Sequence, residues 1–345
     1  MLTKEFFNRD TNITAKIVCD SVSEQGHRIT TFELEYNRYI HGELLTNRIF
    51  SRNCSSSRAI PIKKMIEYTQ NNMAMPLYYG SAKSGMQAGE ELESTWLPKF
   101  LWKSGFFISK SIVKAMDKLK LHKQIPNRLL EPWQMIKVVV TATDFDNFFN
   151  LRIEGAAQPE IAMLAHKMYQ AREASKPKLL KEGQYHLPYV DEYVVNGCTK
   201  YQVAGSGVKY YKSGGVMGLL SLEEAIRISA ASCAAQSYRT ESMTLEKANK
   251  IFDMLIKDKT LHASPFENIA TPIVYNEDKD TCDYTNPYLF DRVKNVLGTM
   301  EGVTHIDKNG DLHSGNFKGW IQYRHLLDNN TCYNFNYEER VKEFN

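Results

Sequence analysis

The sequence predicts an α+β fold in which helices pack against a mixed sheet, and three stretches carry the prediction. "ITAKIVCD" and "RITTFELEY" alternate apolar and polar residues on either side of the turn-like "SEQG", the pattern of a β-hairpin. "WQMIKVVVTA" is a β-branched run suited to a buried strand. "AQPEIAMLAHKMYQAREA" sets Ile161, Leu164, Ala165 and Met168 on one stripe of an amphipathic helix.

The remaining elements follow in chain order. "NRYIHGELLTNRIF" has Ile40, Leu44, Leu45 and Ile49 at helical spacing, and "AIPIKKMIEYTQ" starts a second helix with Pro61 in its first turn, where a missing N–H costs little. The serine run Ser55–Ser57 is therefore expected in a short connection between two packed helices. Residues 71–98 read as an irregular loop that enters a helix near Ala88, and residues 100–123 as a helix broken before Pro126. In "TDFDNFFNLR", Thr143 and Asp146 are placed like a capping box. "SKPKLLKEGQYHLPYV" lacks periodicity and suggests a linker at 175–190 between a half at 1–174 and a half at 191–345, the two forming one composite domain. The second half offers "SLEEAIRISAASCAAQSY", opened by Ser221 and Glu224 as a capping box, then the helix "TLEKANKIFDMLIKD". "VTHIDKNGDLHSGNF" reads as a hairpin around an Asn-Gly turn, and its acidic residues do not recur at Ca²⁺-loop spacing.

Composition narrows the function. A chain of 345 residues, 43% hydrophobic and 24% charged, is globular. Its 43 basic and 40 acidic residues, net +3, are too balanced for a nucleic-acid-coating surface, so any anion site is local. Six scattered cysteines without a C-x-x-C pair fit a reducing compartment and give no zinc spacing; no metal site is expected. No uncharged apolar run approaches the roughly 20 residues of a membrane span, and "MLTKEFFNRDTN" lacks the apolar core of a signal peptide; the expectation is a cytoplasmic protein.

The local chemistry of "SRNCSSSR" is that of an anion cradle, with hydroxyls and turn amides as donors and the fork of Arg58 able to bind two phosphate oxygens. A guanidinium left unpaired between packed helices is costly, so either a bound anion or an internal carboxylate is required. Both alternatives stand on spacing alone. Cys54 beside arginines is either a nucleophile of lowered pKa or a small buried filler. In "SGNFKGWIQYRHLL", Asn316, Trp320, Gln322 and Arg324 either stack on and hydrogen-bond a planar ring of a ligand or form a surface helix with an ion pair.

"SRNCSSSR" resembles the signature of the flavin-dependent thymidylate synthases, in which Arg-His-Arg is followed two residues later by Ser-x-Asn-Glu-x-Ser-x-Arg. Ser51, Asn53, Ser56 and Arg58 match in register, and Arg48 falls on the second arginine of the triplet. "NRLLEPWQ", "NFFNLR" and "AQPEI" recur in the family's order with Arg128, Asn147, Arg152, Gln158 and Glu160. The wording is most similar to the long versions of large bacteriophages. "SAASCAAQSY" and "LHASPFEN" resemble the segment that opens an ordinary member, yet here they follow the signature, so the motif order resembles a circular permutation joined through 175–190.

The resemblance implies reductive C5 methylation of dUMP with FAD, NADPH and methylenetetrahydrofolate, by a homo-oligomer, a tetramer in the family, with sites shared between subunits. It implies that Ser56, Ser57, Arg58 and Arg128 hold the nucleotide phosphate, and that Arg152, with Glu43 nearby, meets the pyrimidine ring. Arg58 and Arg152 are the residues expected to act on the substrate. Arg48, Asn53, Asn147, Ser237, His262 and Ser264 would line the flavin site, with Gln322 and Arg324 replacing missing contacts. The departures are Thr46 and Asn47 for the first Arg and the His of the triplet, Cys54 for Glu, Glu43 for Gln, and Thr141 and Thr143 for Asn and Arg. They cluster at flavin- and base-facing positions, which leaves open another pyrimidine nucleotide such as dCMP, or a nucleotide-binding protein without catalysis.

Overall fold

The computed structural model describes residues 3–206, 209–210, 216–238, 243–257, 261–273, 301–328, 330–331 and 335–342. Most of the 275–310 stretch, whose role the sequence leaves open, lies outside them. The described chain runs α1 (Lys4–Phe7), β1 (Thr14–Ser23), β2 (Arg28–Asn37), α2 (His41–Leu45), β3 (Ser51–Cys54), α3 (Ile62–Asn71), α4 (Trp96–Lys118), β4 (Met135–Ala142), α5 (Asp146–Arg152), α6 (Pro159–Ala174) and β5 (Lys178–Leu180). It continues with β6 (Val190–Val195), β7 (Cys198–Val203), β8 (Lys209–Tyr210), β9 (Val216–Met217), α7 (Leu222–Ala234) and α8 (Leu245–Lys257). The last strands are β10 (Ala270–Pro272), β11 (His305–Ile306), β12 (Leu312–Ser314), β13 (Phe317–Lys318) and β14 (Trp320–Gln322). Among the described residues no helix is long and apolar enough to cross a membrane.

The fold is α+β. Its main sheet has the order β3-β4-β2-β1-β5, antiparallel except where β5 joins β1 in parallel, so the sheet is mixed. The β1–β2 hairpin forms as its alternation predicts, with a register shift between Ile17 and Cys19 and Gly26 at φ +86° closing the turn, a conformation glycine adopts without steric cost. The two faces of β2 and β4 separate by the period of two. Phe32, Leu34, Val138 and Val140 join Ile161, Leu164, Ala165 and Met168 of α6 and Phe145 and Phe148 in the largest core. The opposite face carries Ile29, packed with Leu180, Ala270, Phe317 and Trp320 from later in the chain. The second half thus covers the sheet from the side that α6 leaves open.

Four local expectations are corrected. The helix expected around 37–49 is only a 3-10 turn at Arg38–Ile40 followed by the five-residue α2. Thr46 Oγ1 donates to the Glu43 carbonyl and Asn47 Nδ2 to the carbonyls of Glu43 and Leu44, competition that ends the helix. The chain then pairs Ser51–Cys54 with β4, so the serine run joins a strand to α3 rather than two helices. The capping box at Thr143 and Asp146 does not form: Thr143 Oγ1 accepts from the Lys318 amide, and Asp144 Oδ1 accepts from the Asp146 amide. "SGNFKGWIQYRHLL" is not a surface helix but β13, β14 and a 3-10 turn at Tyr323–Leu326, and Trp320 is a fully buried core residue rather than a stacking platform. The Ser221–Glu224 capping box forms in full, with Glu224 N donating to Ser221 Oγ at 3.3 Å and Ser221 N to Glu224 Oε2 at 2.8 Å.

Candidate functional site

The site is built on β3 and the turn after it. Ser55 extends the β4 ladder, its amide donating to the Lys137 carbonyl at 2.8 Å and its Oγ accepting from the Lys137 amide at 3.2 Å. Ser57 is buried and donates to Glu131 Oε1 at 3.2 Å, while Asn127 Nδ2 holds the carbonyls of Ser57 and Ile60 at 2.8 and 2.9 Å. Between them Ser56 turns outward. Its amide donates to Ser237 Oγ at 2.8 Å, so a residue just beyond α7 fixes the apex of the turn, and its Oγ accepts from the Arg58 amide at 3.3 Å. The Arg58 guanidinium is exposed and has no carboxylate partner among the described residues. Of the two readings that spacing leaves open, the internal salt bridge is absent among the described residues, and the Arg58 fork is exposed.

Glu131 organises the cationic side of this turn. Its Oε1 lies 3.1 Å from Arg38 and 3.7 Å from Arg128, whose side chain is mostly solvent-exposed. A cavity of about 580 Å³ opens alongside, lined by Ser55, Ser57, Arg38, Lys64, Lys137 and Ser237. Three cations and several hydroxyls in one concavity can hold a phosphorylated ligand.

A second cavity, of about 490 Å³, borders the start of β3 and is lined by Arg48, Phe50, Arg52, Asn316, Gln322 and Arg324, with Glu267 and His325 at its wall. Arg48 is exposed and has no ion-pair partner among the described residues. Arg52 donates to the carbonyls of Phe50 and Asn47 at 2.8 and 3.4 Å, and Arg324 pairs with Glu267. Gln322 is buried, and its amide donates to Ser51 Oγ, Asn316 Oδ1 and the Glu267 carbonyl at 3.0, 3.0 and 3.2 Å. It positions the wall more than it presents a free group. Gly315, at φ +59°, completes the wall; a Cβ there would stand 2.9 Å from His325 Nε2 and 3.0 Å from Gln322 Oε1.

The pyrimidine-facing candidates meet at the end of α5. Arg152 Nη1 lies 3.5 Å from Glu43 Oε2 and its Nη2 donates to Thr46 Oγ1 at 3.4 Å, while its buried Nε has no hydrogen-bond partner among the described residues. Burial raises the Glu43 pKa, and the neighbouring guanidinium opposes the shift. Asn147 is exposed on the same helix. Asn53 Nδ2 is buried without a hydrogen-bond partner among the described residues, a donor beside Ser51 on the same face of β3. His262 and Ser264 are exposed at the entry to the 3-10 turn Ser264–Asn268, which packs against β3, and neither lines the two cavities.

Cys54 ends β3 exposed, and burial of its thiol pushes the pKa up against the influence of Arg38 and Arg52. Its exposure does not fit a buried filler, and the direction of the shift is opposite to the lowering that a nucleophile beside arginines would show. Sequence reasoning missed Arg38, Glu131, Arg52 and His325, although "NRLLEPWQ" and "FSRN" contained two of them. It also missed a buried chain across the sheet: Asn268 Oδ1 accepts from Thr141 at 2.9 Å, Thr141 meets Thr31 at 2.7 Å, and Thr31 meets His186 Nε2 at 2.7 Å. His186 Nδ1 lies 2.9 Å from Ser21 Oγ and 3.3 Å from Cys19 Sγ. Burial lowers the His186 pKa to about 3 and raises that of Cys19 to about 12, so both are neutral and the chain clamps the two halves together.

No protein-family model matches the sequence, and no curated protein matches it. Among solved structures, the chain is similar to a UMP/dUMP methylase PolB from Streptomyces cacaoi bound with 5-Br UMP, at 14% identity over 47% of this chain and 89% of that one, with a TM-score of 0.41. It is also similar to the flavin dependent thymidylate synthase ThyX from Helicobacter pylori complexed with FAD and dUMP, at 14% identity over 42% and 68% of the two chains, with a TM-score of 0.30. Likeness at these scores assigns no activity to this chain.

Proposed function

We propose that the protein is an enzyme of the flavin-dependent thymidylate synthase type that methylates C5 of a pyrimidine deoxynucleotide, with dUMP as the first candidate. The observation that carries the reading is the Ser56–Ser237 contact: the late segment that follows the signature in sequence closes onto the signature turn in space. One cavity, with Ser55, Ser57 and Ser237 and the cations Arg38, Lys64 and Lys137 in its wall, borders that junction, and a second, with Arg48, Arg52 and Arg324, borders the start of β3. The exposed forks of Arg48 and Arg58 and the Asn53 amide, unpartnered among the described residues, fit anionic and acceptor-rich ligands.

In this reading the Ser56–Arg58 turn and Arg128 bind the nucleotide phosphate. Arg152, released from Glu43, lies against the pyrimidine ring and stabilises negative charge as C5 becomes nucleophilic. Arg48, Arg52 and Arg324 would hold the phosphates of FAD, with Asn53, Asn147, Ser237, His262 and Ser264 contributing around the rest of the cofactor. Bound flavin would supply the reducing equivalents and the relay of the one-carbon unit, with methylenetetrahydrofolate as donor and NADPH as reductant. The walls orient the rings and limit the entry of water.

A second reading is favoured by Glu43. A carboxylate accepts hydrogen bonds only, and so suits the exocyclic amine of cytosine better than a uracil oxygen. Tritium release from C5-labelled dUMP and dCMP, together with the flavin absorption band of the purified protein, tests both readings. Release from neither nucleotide by flavin-loaded protein would reject an enzyme of this type.

A further inference from the structure

Helix α4 is 23 residues long, about 34 Å, yet only Phe106 and Val113 are buried on it. That inner face packs on Ile62, Met65, Ile66 and Leu130, and Gly105 admits Trp133 so closely that a Cβ would stand 2.8 Å from the indole. The outer face is also apolar. Leu97, Leu101, Ile108 and Ile112 fall within about 60° of one another at 3.6 residues per turn, and Trp96, Phe100 and Phe107 form a second stripe beside them. These seven side chains are between 47% and 69% exposed. Together they offer on the order of 700 Å² of apolar surface, well above scattered exposed residues and near the roughly 800 Å² that each partner contributes to a standard interface.

We propose that this face is where a second copy of the chain docks, with the two α4 helices antiparallel about a two-fold axis near Ser104. The register is self-complementary, setting Leu97 against Ile112 and Leu101 against Ile108 of the other copy. The segments at the two ends differ in charge: exposed Glu90 and Glu93 precede the helix, and exposed Lys114 and Lys118, with Asp117 between them, lie in its last two turns, while Lys99 and Lys103 are exposed near its start. An antiparallel pair brings Glu90 and Glu93 of each copy toward Lys114 and Lys118 of the other, whereas a parallel pair would set each of these two groups against its own kind. The surface stands apart from the nucleotide reading and does not depend on it.

Light scattering coupled to size exclusion on the full chain tests the inference. The wild type is expected to elute as a dimer or a multiple of it at micromolar concentration. Leu101→Glu with Ile108→Glu is expected to give a monomer whose far-UV circular-dichroism spectrum at room temperature is that of the wild type, since within one chain both side chains are exposed. Lys114→Glu with Lys118→Glu should raise the dissociation constant at least about tenfold, and adding Glu90→Lys with Glu93→Lys should restore it. A wild-type monomer across the micromolar range overturns the proposal, including a monomer that instead sediments with phosphatidylserine vesicles. So does an oligomer unmoved by the two glutamate substitutions, or a charge reversal that the complementary reversal does not rescue.

Discussion

Ser51 Oγ accepts a 3.0 Å hydrogen bond from the side-chain amide of Gln322, 271 positions away. Asn316 joins the pair, its Nδ2 donating to Ser51 Oγ at 3.0 Å and to the Ile49 carbonyl at 2.7 Å, so three polar side chains lock the final strands onto the signature strand. A buried polar network of this kind is worth most when every member is satisfied.

Gln322→Leu keeps the volume and removes that lock. Ser51 Oγ and Asn316 Oδ1 lose a donor, and the expected loss of stability is about 2–3 kcal/mol, read as a lowered denaturation midpoint. A variant as stable as the parent would show that the network is not a structural tie.

Arg58→Ala is expected to weaken nucleotide binding by about 10- to 100-fold, the loss of a charge-assisted phosphate contact of roughly 1.5–3 kcal/mol, while leaving flavin retention and the melting temperature nearly unchanged. Arg48→Ala should show the reverse selectivity. Titration calorimetry with dUMP and the flavin-to-protein absorbance ratio separate the two; equal loss of both ligands in either variant contradicts the division of the site.

Glu43→Gln frees Arg152 from its ion pair and replaces an acceptor with a group that can also donate. The ratio of dUMP to dCMP turnover is expected to rise by about tenfold, or 1.4 kcal/mol of discrimination. Arg152→Ala should lower turnover on either nucleotide much more than it lowers nucleotide affinity. An unaltered substrate ratio in Glu43→Gln would remove that carboxylate from base selection.

His186 gives a pH signature. Its folded pKa is depressed to about 3 from an ordinary 6.5, so between those values the unfolded chain binds a proton that the folded chain does not. Stability is therefore complete above the unfolded value and falls as pH drops below it, at a limiting slope of about 1.4 kcal/mol per pH unit. His41, lowered to about 4 by burial, adds in the same direction. Urea unfolding at pH 7.5 and pH 5.0 should show a steeper loss for the parent than for His186→Gln, and parallel profiles would deny the neutral, clamped imidazole.

The elements with unbroken local periodicity are legible in the sequence. The β1–β2 hairpin, the buried β4 run, the α6 stripe and the Ser221 capping box all rest on contacts close in sequence or on burial of a whole face. Ser51–Cys54 is not legible, because a four-residue strand of polar residues has no alternation to read and takes its partner, β4, from far along the chain. Trp320 misleads for a related reason: its strand is only three residues long and its burial depends on β10 and the opposite face of the sheet. At the candidate site, Ser56 and Ser237, which the resemblance assigns to different ligands, lie in hydrogen-bond contact. The Glu131 hub and the His186 chain consist of single polar residues scattered through apolar segments, and only tertiary contact distinguishes them from surface positions.

The most direct test is a crystal structure of the full chain with FAD and dUMP. The account places the nucleotide phosphate on the Ser56–Arg58 turn and the cofactor phosphates among Arg48, Arg52 and Arg324, with the late segment unmoved on β3. A phosphate bound elsewhere while Arg58 remains in solvent, or a flavin seated away from the arginine-lined cavity, would contradict it.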